Sequence, residues 1–401
     1  MREWHPYRIK DIVQLVSIKS EDLTLPYIAL DNIISWDATF VPSDSATDGN
    51  SNLCEAADVL FGKLRPYLAK AYIPTETSIC SPEFLVLRPN KGTNNKFLLY
   101  FLISKSFISH IRNQVAGVKM PRTNWSQISC YPILMPSPDE QKAIAEYLNK
   151  ECEKIGCNIE LLERKADAYK RLRRSIINRA VTRGLNPDAP LKPSGNDWIG
   201  DIPAHWQLKP LRSFITLITP EKKGETEYQL LSVTRDKGVI QRGERGEDGN
   251  NNRIPDDLSN YKVVRKNDFV VNKMKAWMGS YGVSDFSGIV SPAYYVCEVH
   301  DIFERFFSIA IRCKLYTNFF WKYSKGIRVD QWDMSPLALK EIPLVTPPEE
   351  EQKEIVTYLD DKCGKLDAII EKIGTQIERL KELKRSLINE VVTGKRTIIS
   401  V

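Results

Sequence analysis

Residues 141–182, QKAIAEYLNKECEKIGCNIELLERKADAYKRLRRSIINRAVT, and residues 352–393, QKEIVTYLDDKCGKLDAIIEKIGTQIERLKELKRSLINEVVT, are copies of one another. Aligned without a gap at a spacing of 211, they agree at 17 of 42 positions. Each follows a proline-rich lead-in, YPILMPSPDEQ or IPLVTPPEEEQ. A repeat on this scale means one structural plan used twice. Weaker matches continue upstream. Gly117-Val118-Lys119 corresponds to Gly326-Ile327-Arg328, and Ser81-Pro82-Glu83-Phe84 to Ser291-Pro292-Ala293-Tyr294. Asp58–Tyr67 corresponds to Asp268–Trp277, and Trp4 to Trp206.

Both copies read as long helices. Asp139–Asn186 contains no proline, and none follows Pro348. Ser137-Pro-Asp-Glu140 has the form of an N-cap, a first-turn proline and a capping-box acid, and Thr346-Pro-Pro-Glu349 is read the same way. Apolar side chains recur at spacings of three and four. The first seam is Ile155, Ile159, Leu162, Ala166, Tyr169, Ile176 and Ala180; the second is Leu366, Ile370, Ile373, Ile377, Leu380, Leu387 and Val391. Such a stripe predicts coiled-coil-like packing. Arg173 and Lys384 fill one basic slot in each. Gly156, Gly364 and Gly374 each cost a helix about 1 kcal/mol relative to alanine. A helix of about 45 residues spans about 68 Å, too long for one module to cover, so each helix is expected to pack on the other. Periodicity does not distinguish parallel from antiparallel.

The organisation expected is a first module over 1–136, a central helix over 137–185, and a Pro/Gly-rich extended connector over 186–205. A second module over 206–345, a distal helix over 346–396 and a tail over 397–401 follow. Each module mixes strand-like runs (PEFLVLRP, PAYYVCEV) with helical ones (Asn95–Asn113, Ile302–Tyr323). The fold class is α+β, with two similar α/β modules joined and spaced by two long helices.

With 401 residues, 42% hydrophobic and 27% charged, the chain has the composition of a multi-domain globular protein. Disorder as the main state and small disulfide-stapled classes are excluded. Its first ten residues are polar and charged, and no apolar run reaches membrane-spanning length, so neither a signal peptide nor a membrane span is expected. The 8 cysteines form no CxxC pair and there are only 4 histidines, which speaks against a zinc site and for a reducing cytoplasm. A net charge of +6 permits a polyanionic partner.

No Walker A loop, GxSxG or HExxH motif is present. Ser81-Pro82-Glu83-Phe84 and Ser291-Pro292-Ala293-Tyr294 approach the Ser/Asn/Asp-Pro-Pro-aromatic motif of DNA amino-methyltransferases. Both lack the second proline, and no glycine-rich turn for S-adenosylmethionine accompanies them, so a strand start is the simpler reading. Cations interleaved with rings point instead to nucleic acid. The candidate DNA-contacting residues are Lys63, Arg65, Tyr67 and Lys70, with Lys273, Lys275 and Trp277 in the second copy. A second cluster is Lys119, Arg122 and Asn124 beside Trp125, against Arg328 and Gln331 beside Trp332. The copies diverge most over Pro26–Glu55 and Gly224–Pro255, as expected if two equal scaffolds read unequal half-sequences.

The two-copy layout, the PSPDEQ and TPPEEEQ lead-ins, the helix ends KRLRRSIINRAVTRG and KELKRSLINEVVTGK, and the linker KPSGNDWIGDIPAHW together resemble the DNA-specificity subunit of type I restriction-modification systems. The resemblance covers essentially the whole chain. It implies two target-recognition domains reading the halves of a split double-stranded DNA site. The helices would set the gap, about one DNA turn between centres, and dock two adenine-N6 methyltransferase subunits carrying S-adenosylmethionine. Restriction subunits carrying ATP and Mg would complete the endonuclease. The chain itself would bind no cofactor or metal and catalyse nothing. Two other readings remain: a stand-alone amino-methyltransferase with degenerate motifs, and a coiled-coil adaptor that never touches DNA.

Overall fold

The two repeats end in helices of 46 and 44 residues, Pro138–Arg183 and Glu349–Val392. These central and distal helices are seen in a computed structural model that describes residues 4–20, 22–43, 50–114, 120–223, 227–243, 254–326 and 332–398. The central helix starts as its sequence dictates. Ser137 caps it, its Oγ accepting from the Glu140 N–H at 3.3 Å. The distal helix starts two residues later than the Thr346 reading requires. Thr346 ends the strand Pro343–Thr346, and its hydroxyl donates to the Leu344 carbonyl. Pro348 disfavours the helical region for Pro347, which that reading puts at the first helical position, and the first helical hydrogen bond runs from Gln352 to Pro348.

The chain forms two units, Met1–Arg164 with Ile373–Val401, and Lys165–Lys372. The central helix therefore leaves the first unit and enters the second, and the distal helix does the reverse. Each unit contains part of both helices.

In unit 1 an antiparallel four-stranded sheet has the order Val13–Val16, Phe84–Pro89, Val59–Gly62, Ala71–Tyr72. Lys19–Ser20, Ser51–Cys54, Ser78–Cys80 and Tyr27–Ile28 form a second sheet, whose last pair is parallel. Unit 2 repeats the first sheet with Ile215–Leu217, Tyr294–Val299, Phe269–Asn272 and Tyr281–Val283. A two-stranded ribbon, His5–Arg8 with Pro132–Met135 or Gln207–Pro210 with Pro343–Thr346, leads into each long helix. The sheets are mostly antiparallel and the helices stand apart from them, so each module is α+β rather than an alternating α/β unit.

The helical runs are each broken in two: Asn95–Leu102 and Lys105–Gln114, then Glu304–Ile311 and Lys314–Tyr323. Ser104 makes the first break, its fully buried hydroxyl accepting from Phe107 N–H at 3.4 Å. Cys313 takes an extended backbone at the second. The connector is not simply extended either. Leu191–Pro193 pairs with Asp201–Pro203, and Ile199 and Ile202 are buried in the core of unit 2.

Each unit has a large core joining sheet, short helices and long helices, and a smaller one under the second sheet layer. In unit 1 Ile144, Leu148, Cys152 and Ile155 of the central helix share a core with Leu387, Ile388, Val391 and Val392 of the distal helix. In unit 2 Ala180 and Val181 share one with Ile355, Val356, Leu359 and Cys363. Ile155, Leu366, Ile373, Ile377 and Leu387 are buried; Ile159, Leu162, Tyr169, Ile176, Ile370 and Leu380 are half-buried. The basic slots are both paired. Arg173 meets Asp367 at 2.9 Å, and the buried Lys384 binds Asp37. A Cβ at Gly364 would meet nothing within 4 Å. Gly364→Ala is thus expected to raise stability by about 0.5–1 kcal/mol in a denaturant titration; a decrease would mean that the glycine serves a contact of its own.

Candidate nucleic-acid interface

Three segments singled out in each repeat meet at one end of the four-stranded sheet. In unit 1 the strand Val59–Gly62 runs straight into Lys63. The Lys63 N–H donates to the Glu83 carbonyl at 2.7 Å, and the Lys63 carbonyl accepts from Thr123 N–H at 3.0 Å. In unit 2 the Lys273 carbonyl accepts from Met334 N–H, also at 3.0 Å. That bond fixes the equivalence of the loops: Met334 matches Thr123, and the helix caps Asn124 and Ser335 match each other. Trp332 therefore stands where the first copy has Pro121. Trp125, which sequence comparison pairs with Trp332, instead opens a helix, as Pro336 does.

The cations on this face divide by what already holds them. Lys63, Arg65 and Lys275 have no side-chain partner among the described residues, and Arg65 and Lys275 are exposed. Arg65 is left-handed at φ 49° and its N–H donates to the Pro121 carbonyl at 2.8 Å. Such a backbone costs about 1 kcal/mol or more for a residue with a Cβ, and persists where its surroundings enforce it. Tyr67 is 39% exposed on the turn that follows. Lys70 is different. Its ammonium donates to the Leu30 carbonyl at 2.7 Å, and burial lowers its pKa against the pull of Asp31. It holds the Leu30 loop, and a phosphate would have to displace that bond.

Arg122 forms a two-pronged pair with Glu83, both bonds 3.1 Å, and this hydrogen-bonded carboxylate raises its pKa. In unit 2 this pair is absent, because Ala293 stands for Glu83. Asp333 stands at the place of Arg122 and meets Lys273 at 3.4 Å. Lys262 nearby has its pKa lowered, first by burial and then by Lys273. Asn124 accepts from Gln127 N–H at 3.0 Å, capping the helix Trp125–Ser129. Trp277 is half-buried, its indole N–H donating to the Met274 carbonyl at 3.2 Å. Lys119, Arg328 and Gln331 lie outside the described residues.

The methyltransferase-like tetrapeptides are turns into strands. Phe84 N–H donates to the Ser81 carbonyl and Tyr294 N–H to the Ser291 carbonyl, each at 3.0 Å. Phe84 is 1% exposed within the core, and Tyr294 packs against the matching core of unit 2. Rings held this way are not offered to a flipped base. Among the described residues no group of three or more His, Cys, Asp or Glu could hold a metal ion. No helix among them is long and apolar enough to cross a membrane.

Residues 1–162 match the profile of the type I restriction modification DNA specificity domain. The remainder of the chain repeats the same plan, strand for strand in the principal sheet. The chain is similar to type I restriction-modification DNA-specificity subunits, by that domain match over its first part and by two relatives over about three quarters of its length. It is 24% identical over 332 residues to the MjaX type I restriction enzyme specificity subunit of Methanocaldococcus jannaschii, covering 78% of this chain and 73% of that one. It is 21% identical over 326 residues to the EcoDI type I restriction enzyme specificity subunit of Escherichia coli, covering 75% and 70%. A chain from a solved type I R-M system shares the fold, with a TM-score of 0.68 at 16% identity and 98% of both chains covered. The paired loops after the third strand of each principal sheet are the equivalent surfaces of the two repeats. Sequence reasoning misses Glu83 as the holder of Arg122. It also misses Trp321, because its counterpart on the matching helix of unit 1 is Arg112 and nothing in the repeat marks it.

Proposed function

We propose that this chain is the sequence-reading subunit of a type I restriction-modification assembly, each unit engaging one half of a split, asymmetric site in double-stranded DNA. The observation that carries this is the repetition of one cationic loop, Lys63–Arg65 and Lys273–Lys275, after the same strand of two matching sheets, with unequal loops around it. The chain supplies recognition. Adenine-N6 methylation belongs to two modification subunits carrying S-adenosylmethionine, and cleavage to restriction subunits using ATP and Mg. The stand-alone methyltransferase reading is disfavoured by the buried Phe84 ring.

Methylome sequencing tests the role. Cells carrying this chain with its modification subunit are expected to show N6-methyladenine at a two-part motif that disappears when this chain alone is deleted. Unchanged methylation, with an active modification subunit, would leave the adaptor reading. A second experiment tests the surface. The double substitution Lys63→Ala with Arg65→Ala is expected to flatten the dependence of log affinity on log salt by about 2, near 0.9 for each phosphate no longer neutralised. Lys275→Ala should flatten it by about 0.9, since in unit 2 the other loop cation, Lys273, is already engaged by Asp333. Lys70→Ala should leave the slope alone and lower stability instead, since its ammonium is bound to Leu30. Equal slopes in all of these variants would move the DNA to another face.

A further inference from the structure

Unit 2 carries three tryptophans side by side on the face just described. The Trp277 and Trp332 ring centroids are 5.6 Å apart with their planes tilted 59°, and Trp321 and Trp332 are 5.6 Å apart at 60°. Trp321 is 50% exposed and the neighbouring Met274 51%. Trp277 and Trp332 are half-buried. Three clustered rings with an exposed member form a contiguous aromatic surface and not a single scattered side chain. The positions adjoining the rings are cationic. Lys275 lies two residues before Trp277, and Lys325 pairs through its backbone with Asp333, next to Trp332, while the Lys322 ammonium is held over the Trp198 ring at 4.6 Å. The acid in this set, Asp333, is engaged by Lys273. A protein surface rich in basic residues suits neither this charge nor this patch; a polyanion with apolar faces suits both.

Unit 1 lacks the platform. Tyr67 stands for Trp277, Pro121 for Trp332 and Arg112 for Trp321. The two units thus bring the same backbone loop to DNA with different chemistry beside it. We propose that Trp321 and Trp332, steadied by Trp277, contact base edges of the half-site read by unit 2 with their ring surfaces, so that this half-site is read partly by apolar contact. The proposal rests on the reading that the Lys273–Lys275 loop faces DNA. Base edges in the major groove offer thymine methyl groups to such a surface, and this apolar contact is largely independent of charge.

The test uses the full chain purified with its modification subunit and duplex DNA carrying the methylated motif. Trp321→Ala is expected to lower affinity about 5- to 100-fold, the range for losing one buried apolar side chain, while leaving the salt slope unchanged, because no charge is removed. Trp321→Arg, which places here the residue type that unit 1 has, is expected to recover affinity and steepen the slope by about 1. A scan with abasic positions through the unit 2 half-site should find one or two at which the wild type loses affinity and Trp321→Ala loses no more. Trp321→Ala with wild-type affinity, while Lys275→Ala still flattens the slope, would overturn the base contact and leave the DNA-facing loop standing. No effect of either would remove both. Dissociation of the modification subunit from Trp321→Ala would assign the rings to a protein contact and overturn the proposal.

Discussion

Trp206→Ala is expected to remove about 3–5 kcal/mol from unit 2, enough to lower its melting temperature by roughly 6–20 °C for a body of this size. Trp206 has no exposed surface and lies in the core where Ala180 and Val181 of the central helix meet Ile355 of the distal one. Its indole N–H donates to Glu351 at 2.8 Å, and His205 reaches the same oxygen at 2.7 Å. The central helix ends against this ring. Gly184 is left-handed at φ 75°, and a Cβ there would sit 3.1 Å from Trp206 and 3.0 Å from Glu351. One side chain therefore fixes the end of one long helix, the start of the other and the start of the second module. The first repeat has a looser version. Trp4 is half-buried, and a Cβ at Gly394 would lie 3.3 Å from it. Trp4→Ala should cost clearly less than Trp206→Ala. Equal costs in a calorimetric scan, or a cost below about 1 kcal/mol for Trp206, would sink the assignment of Trp206 as the keystone.

That asymmetry marks what sequence shows and what it hides. Local periodicity reveals the long helices and their buried seams, because a 3- and 4-residue spacing needs no knowledge of the partner. The repeat reveals that Trp4 and Trp206 correspond. Burial and partners depend on contacts far apart in the chain, which periodicity does not carry. Lys70 and Lys63 look alike in sequence; only the Leu30 carbonyl, 40 residues away, separates an internal tether from a free cation. Arg122 stands alone in sequence, and only the fold brings Glu83 against it. Asn124 has the chemistry of a base reader and the geometry of a helix cap. The breaks at Ser104 and Cys313 are hidden because the apolar pattern continues through them. Small length changes between repeats shift Trp332 onto Pro121, a correspondence set by backbone hydrogen bonds and not by residue identity.

Gln352→Leu is expected to cost about 2–4 kcal/mol, because it strands two buried backbone groups that each carry a penalty of about 1–3 kcal/mol when unpaired. Gln352 is 3% exposed. Its Oε1 accepts from Phe303 N–H at 2.9 Å, just ahead of the helix Glu304–Ile311, and its Nε2 donates to the Pro347 carbonyl at 2.9 Å. Gln141 does the same work in the other repeat at 2% exposure, accepting from Asn94 N–H at 2.8 Å and donating to Pro136 at 2.9 Å and Gly92 at 3.2 Å. Each glutamine thus clamps a long helix to the first short helix of a module, which explains why this position is identical in both lead-ins. The amide is needed because one end must accept while the other donates. Gln352→Glu separates this requirement from size. A carboxylate would face the Pro347 carbonyl with two acceptors, while a carboxylic acid could still donate to it. The folded-state pKa of that glutamate should therefore lie above the unfolded value of about 4.3. A group with a raised folded pKa contributes its stability below the unfolded pKa and loses it as pH rises through the folded one. Gln352→Glu should accordingly approach the wild type in stability near pH 4 and fall behind it toward pH 7. A pH-independent deficit in urea titrations would show that shape, and not the paired donor and acceptor, is what this position supplies.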